Sequence, residues 1–323
     1  MNVSTLRLHD EKDSRDLPTD RPESTRENDV VVQDLVKSYG NLNVVDGVSF
    51  TVPKGSVFGL IGPNGAGKST TLRMMMRLTG ISSGKATVLG ADVETDFQSV
   101  KNRIGYVPEV HNVYRWMSIK RIISFVSSFY PTWNQQRCEE MLKLLELQPS
   151  KKVKQLSKGM LAKLALLLAV SHEPELLILD EPLSGLDPLV REEFLEGVMQ
   201  VICKGSSSVI FSSHTIGDVQ RIADNVGILY GGKLLAQTGV DDLVQSVKRF
   251  KVVVPDGGTL EWLPEDAVFT QHRGREYCVT VKAYSAELQS QFEYRNPGAS
   301  LTSVDDLNLE EIFKDFVRGA KGK

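Results

Sequence analysis

Gly62-Pro63-Asn64-Gly65-Ala66-Gly67-Lys68-Ser69 fits the spacing G-x-x-x-x-G-K-[ST], with an apolar run before it and a helical pattern after it. Glycines let a backbone turn sharply and approach an anion with no Cβ in the way, while successive N–H groups and a helix N-terminus supply partial positive charge. In such a cradle Lys68 places a full charge on β- and γ-phosphates, Ser69 offers its hydroxyl to magnesium, and Thr70 is placed to donate to an α-phosphate. The plain alternative is a Gly-rich turn that merely links strand to helix. Leu72, Met74, Met75 and Met76 just downstream read as core packing.

A second group lies at the end of Leu176-Leu177-Ile178-Leu179-Asp180-Glu181, an apolar strand closing on two carboxylates. In parallel α/β sheets ligands sit beyond the carboxyl ends of strands, so this strand can deliver both acids beside the cradle. Asp180 then holds magnesium, directly or through water, and Glu181 polarises the attacking water. Two acids ending a strand are, alone, a common surface feature; it is the cradle that gives the pair meaning. His214 follows the strand Val209–Ser213 and reaches the same place from a neighbouring strand end.

Elements must bring these groups together. Short apolar segments at Val30–Leu35, Val44–Val52 and Val57–Ile61 are bounded by turn residues and predict strands; a helix is expected from Lys68 to Leu78. Further on, strands at Leu176–Leu179, Ser208–Phe211 and Val226–Tyr230 alternate with helices at Val190–Lys204 and Thr215–Ala223, the βαβ rhythm of a largely parallel sheet covered by helices. Between about 112 and 170 the pattern is helical only: Ile119–Phe129, Asn134–Leu145 and Gly159–Ser171. After Gln245 come strands at Phe250–Val254 and Tyr277–Lys282, a connection around Pro297-Gly298 and an amphipathic end, Leu307–Val317. The reading is a tail at 1–28 too polar to bury a core, an α/β unit at 29–247 with its helical insertion at about 112–170, and a small α+β unit at 248–323.

Composition bounds the partners. The chain has 323 residues, 41% of them hydrophobic, and a formal net charge of −3, which argues against a protein that works by wrapping nucleic acid. Cys138, Cys203 and Cys278 are scattered, with neither a Cys-x-x-Cys pair nor a His at ligand spacing, so a reducing cytosol is expected. The N-terminus is charged where a signal peptide is apolar, and the richest apolar stretch, Leu161–Val170, is broken by Lys163 and too short to span a bilayer.

Taken in order, these segments resemble the ABC ATPase family over residues 30–245. The resemblance rests on Tyr39 as adenine-stacking aromatic, GPNGAGKST at 62–70 (Gly62, Pro63, Asn64, Gly65, Ala66, Gly67, Lys68, Ser69, Thr70), the turn after Gly105-Tyr106-Val107-Pro108, the signature Leu156-Ser157-Lys158-Gly159-Met160, LLILDEP at 176–182, the D-loop Ser184-Gly185-Leu186-Asp187, and His214. It implies a P-loop ABC cassette with an antiparallel β subdomain, ATP and Mg2+ as cofactors, and catalysis by Glu181, His214 and Lys68. Two cassettes meet head to tail, each ATP lying between one chain's cradle and the other's signature, so that Leu156 to Met160 act in trans. The family's cassettes power a separate transmembrane permease from the cytoplasmic face of the plasma membrane, with no nucleic acid partner expected here.

Two positions depart from the family pattern. Glu109 stands where Gln is usual; its carboxylate still ligates magnesium but adds negative charge near the γ-phosphate. Lys158 and Met160 replace Gly and Gln in the signature. Together with Phe129-Tyr130-Pro131-Thr132-Trp133, these features are similar to the exporter-associated ABC-2 type branch, and Tyr114, Trp116 and Trp133 in the helical region form the expected docking face for the permease, the plain alternative being aromatics that pack inside the insertion. The competing readings are a soluble ABC ATPase acting on ribosomes or DNA, which usually shows two cassettes or long inserted modules, and a regulatory module that senses ATP without turnover.

Overall fold

The computed structural model describes residues 27–203 and 207–322; the expected tail lies outside them up to residue 26, as does Lys204 at the end of one expected helix. The chain opens with an antiparallel hairpin, β1 (Asn28–Tyr39) and β2 (Leu42–Pro53), pairing Val30 with Val52 and Val32 with Phe50. β3 (Val57–Ile61) leads into α1 (Lys68–Met75), after which β4 (Ser83–Val88) and β5 (Ala91–Asp92) complete an antiparallel sheet of order β2-β1-β4-β5. α2 (Phe97–Val100) and β6 (Ile104–Val107) precede the helical insertion, α3 (Ile119–Ser127), α4 (Gln135–Leu144) and α5 (Lys158–Val170). β7 (Leu176–Leu179), α6 (Pro188–Cys203), β8 (Ser208–Ser213), α7 (Ile216–Ile222), β9 (Asn225–Tyr230) and β10 (Lys233–Gly239) finish a sheet of order β10-β9-β3-β8-β7-β6, parallel except at β10. α8 (Val240–Ser246) is followed by β11 (Lys248–Val253), β12 (Ala267–Arg273), β13 (Glu276–Val281), α9 (Ala286–Arg295), β14 (Ser300–Asp306) and α10 (Leu309–Lys321), whose strands make an antiparallel sheet of order β12-β13-β11-β14.

The parallel sheet is buried on both faces, and its alternating side chains divide between two cores. Val57, Ile61, Leu177, Leu179, Val209 and Phe211 join the helical insertion, whereas Phe58, Leu60, Leu176, Ile178 and Ile210 join α1 and the antiparallel sheet. Ser118, Asn134 and Ser157 cap the three insertion helices, each accepting from a backbone N–H three residues on, at 3.3, 2.9 and 3.2 Å. The third sheet has a small core of Phe250, Val252, Val279, Val281 and Phe292, but Leu309, Ile312 and Phe316 of α10 pack into the larger core instead.

The expected helix 68–78 stops earlier. Leu78 N donates to Arg73 O at 2.8 Å and Arg77 N to Met74 O at 3.0 Å, a closing pattern with Arg77 at φ 51, which leaves Leu78 60% exposed. No glycine marks this stop in the sequence. The helices of 112–170 lie within two residues of expectation, and the region's one strand-like contact among the described residues is an isolated bridge between Ser118 and Lys152. Among the described residues no helix is long and apolar enough to cross a membrane.

Candidate functional site

β3, β8 and β7 are adjacent and parallel, with Ile61 opposite Ser213 and Leu179 opposite Phe211. Their carboxyl ends therefore release the 62–67 loop, His214 and the Asp180-Glu181 pair at one edge of the sheet. A cavity of about 380 Å³ opens there, walled by Val44, residues 64–70, Glu109, Glu181, Ser184 and His214. The loop is fixed by close packing. A Cβ on Gly62 would lie 2.3 Å from Leu229 O, and one on Gly67, which adopts φ 106, would lie 2.7 Å from Val44 O. Only glycine fits either place.

Lys68 is 5% exposed, and its ammonium turns back over the loop, donating to Gly62 O at 2.7 Å and Pro63 O at 3.2 Å and pairing with Glu181 Oε1 at 2.9 Å. The other carboxylate oxygen, Glu181 Oε2, is 2.8 Å from His214 Nδ1. One carboxylate is thus gripped between an ammonium and an imidazole. Glu181 itself sits at φ 46, in the left-handed region, at a cost of about 1–2 kcal/mol for a side chain of this kind. Such a conformation persists where surrounding contacts over-determine it, as here.

Asp180 is fully buried; its Oδ1 accepts from Ser69 Oγ at 2.6 Å and from Ser212 Oγ at 3.1 Å. Its Oδ2 has no hydrogen-bond partner and lies 3.9 Å from the Arg73 guanidinium. A buried carboxylate oxygen left without a hydrogen bond beside a hydroxyl is the donor set a hard cation takes, and magnesium uses one or two carboxylates together with phosphate oxygens and water. Nearby, burial and then the Asp180 carboxylate push the Tyr106 hydroxyl above its usual value.

Sequence reasoning missed Ser212 and Arg73. Ser212 bridges the two acids, because its hydroxyl also accepts from Glu181 N at 2.8 Å. Its only sequence signal is a Ser in a buried apolar strand.

The remaining expected residues divide. Ser69, Thr70 and Glu109 line the cavity; Tyr39 does not. Tyr39 is 55% exposed at the end of β1, its ring 5.0 Å from Lys37 Nζ and its hydroxyl 3.5 Å from Thr79 Oγ1. Leu156, Ser157, Lys158, Gly159 and Met160 lie at the start of α5 and none of them lines the cavity. Lys158 Nζ rests against the D-loop of its own chain, 2.7 Å from where a Cβ on Gly185 would stand, and a Cβ on Gly159 would lie 2.5 Å from Val190 Cγ1. Asp187 Oδ1 accepts from Val190 N at 3.1 Å in the first turn of α6. Of the expected docking aromatics, Trp133 is half-buried against the main core, whereas Tyr114 and Trp116 are exposed beside Phe125 and Phe129, with successive ring centroids 6.3, 5.6 and 5.1 Å apart.

Residues 45–184 match the family model described as ABC transporter. The chain is 35% identical over 219 residues to the probable multidrug ABC transporter ATP-binding protein YbhF of Escherichia coli (strain K12), covering 66% of this chain and 38% of that protein. It therefore spans well under half the length of that relative. It is 34% identical over 231 residues to the Nod factor export ATP-binding protein I of Rhizobium etli, covering 70% and 72% of the two chains. Among solved structures, the ATP-binding subunit of an ABC transporter superposes with a TM-score of 0.61 at 29% identity, covering 67% of this chain and 92% of that one.

Proposed function

The chain belongs to the ABC transporter family, and from that premise we propose that it binds and hydrolyses ATP to drive export through a separate membrane-spanning partner. The observation that carries this reading is the line Lys68–Glu181–His214, 2.9 and 2.8 Å per step, at the mouth of a glycine cradle. The 62–67 loop and the start of α1 aim N–H groups at the phosphates. Lys68 exchanges its loop carbonyls for β- and γ-phosphate oxygens, which places the terminal phosphorus beside Glu181.

Glu181 then takes the proton of the attacking water, and His214, with Nδ1 2.8 Å from Glu181 Oε2, holds the carboxylate in line. Asp180, Ser69 and Glu109 would hold a magnesium ion, which when bound neutralises charge on the β- and γ-oxygens. Asp180 can do so because its Oδ2 is uncommitted to any hydrogen bond.

Residues 29–247 form the ATP-binding unit in this reading and 248–323 an accessory one. The chain works at the cytoplasmic face of the membrane. Tyr114, Trp116, Phe125 and Phe129 give the permease an exposed aromatic surface to dock on. The relative named for Nod factor export supports an export direction.

Turnover by the purified chain tests this. Glu181→Gln is expected to keep ATP affinity and to lose kcat by about 10²–10⁴-fold, the usual contribution of a general base. Lys68→Ala is expected to lose affinity as well. Equal rates in wild type and Glu181→Gln sink the catalytic assignment.

A further inference from the structure

We infer that Arg191 and Asp218 act as one positioning pair that ties the D-loop, residues 184–187, to the loop carrying His214, an inference that rests on the hydrolysis proposed above. Arg191 stands in the first turn of α6, immediately after the D-loop, and its Nε donates back to Leu186 O at 3.2 Å. The far end of the same guanidinium, NH1, is 3.7 Å from Asp218 Oδ2. Asp218 lies in the first turn of α7, four residues after His214, and is 8% exposed. With Glu181, Ser184, Ser212 and His214 it lines a narrow crevice behind the two acids.

The pair is close without being closed. Asp218 Oδ2 is buried with no hydrogen-bond partner, and the 3.7 Å separation from Arg191 is an ion-pair distance beyond hydrogen-bond reach. A buried carboxylate oxygen in that condition gains from any displacement that brings the guanidinium nearer. Burial drives the Asp218 carboxyl above its ordinary range, with Arg191 as the largest opposing influence.

Because the Arg fork is rigid and planar, a shift of Leu186 carries NH1 with it. Movement of the D-loop is therefore transmitted to the start of α7, and through His214 to Glu181 Oε2. Neither residue lines the cavity at the cradle; each acts through His214.

The experiment is a double-mutant cycle on the full chain: Arg191→Gln, Asp218→Asn and the two combined, each read for kcat, for the Kd of a fluorescent ATP analogue and for Tm. Each single substitution is expected to lower kcat about tenfold with Kd held within about twofold, and the double to fall no further than the worse single. Multiplied losses, about a hundredfold in the double, overturn the pairing, as does a rise in Kd that accounts for the fall in kcat. Wild-type chain that turns over ATP while the losses multiply overturns this inference alone. Wild-type chain with no turnover overturns it together with the proposed function. Where a neutral variant melts lower, Arg191→Lys and Asp218→Glu run the same cycle with the same two outcomes.

Discussion

The hydroxyl of Ser212 stands between the two acids, giving its proton to Asp180 Oδ1 at 3.1 Å and accepting from Glu181 N at 2.8 Å. Ser212→Ala removes both bonds at once. It leaves Glu181 N–H buried without that partner and loosens a residue held at φ 46. A buried polar group stripped of its partner costs about 1–3 kcal/mol, so the midpoint of urea unfolding is expected to fall accordingly, with kcat falling alongside. An unchanged midpoint would show that the bridge carries no weight. The residues legible in the sequence were those announced by local spacing: Lys68 and Ser69 by the cradle, Asp180 and Glu181 by a strand that ends in acid, His214 by the next strand end. Ser212 and Arg73 were not, because their partners are set by the strand order β3-β8-β7 and by the face α1 turns to Asp180, neither of which is a local property.

At the scale of elements, the placement of α10 is decided by a glycine. A Cβ at Gly319 would lie 1.7 Å from Val268 O on β12, although helix propensity favours Ala over Gly by about 1 kcal/mol. The two effects have opposite signs, and overpacking a tight contact costs about 1–3 kcal/mol, so Gly319→Ala is expected to destabilise the protein. Thermal unfolding checks the sign; a higher Tm would mean that the contact yields cheaply. The amphipathic end Leu307–Val317 announced this helix, and its Asn308–Glu311 capping box fixes its start. What the sequence did not disclose is that Leu309, Ile312 and Phe316 pack into the main core rather than the small sheet's. β4, β12 and β14 also went unread, for Ser-Gly-Lys-Ala-Thr-Val, Ala-Val-Phe-Thr-Gln-His-Arg and Ser-Leu-Thr-Ser-Val-Asp-Asp carry few large apolar residues, and each strand is half-exposed. Strands of that composition are specified by their pairing partners more than by their own pattern.

At the scale of the whole molecule, the glycine cradle and the signature segment 156–160 do not meet at one cavity within the chain. The cradle and Glu181 wall the cavity, whereas Ser157 caps a helix whose first residues do not line it. A helix N-terminus with Ser157 and Lys158 exposed is suited to an anion presented from outside, and a second copy carrying ATP in its own cradle presents a triphosphate. Each bound nucleotide would then be shared between two chains, and the association would depend on the γ-phosphate surviving. Glu181→Gln, which removes the proposed base but keeps the cradle, is therefore expected to pass from monomer to dimer when Mg-ATP is added and to stay monomeric with Mg-ADP. Sedimentation velocity reads the mass directly. Because the role proposed for the Lys68 ammonium is to hold the γ-phosphate, adding Lys68→Ala to the same chain is expected to abolish the ATP-dependent dimer. A Glu181→Gln chain that remains monomeric at saturating ATP would separate the signature segment from the nucleotide site and leave the exposed start of α5 without its proposed role.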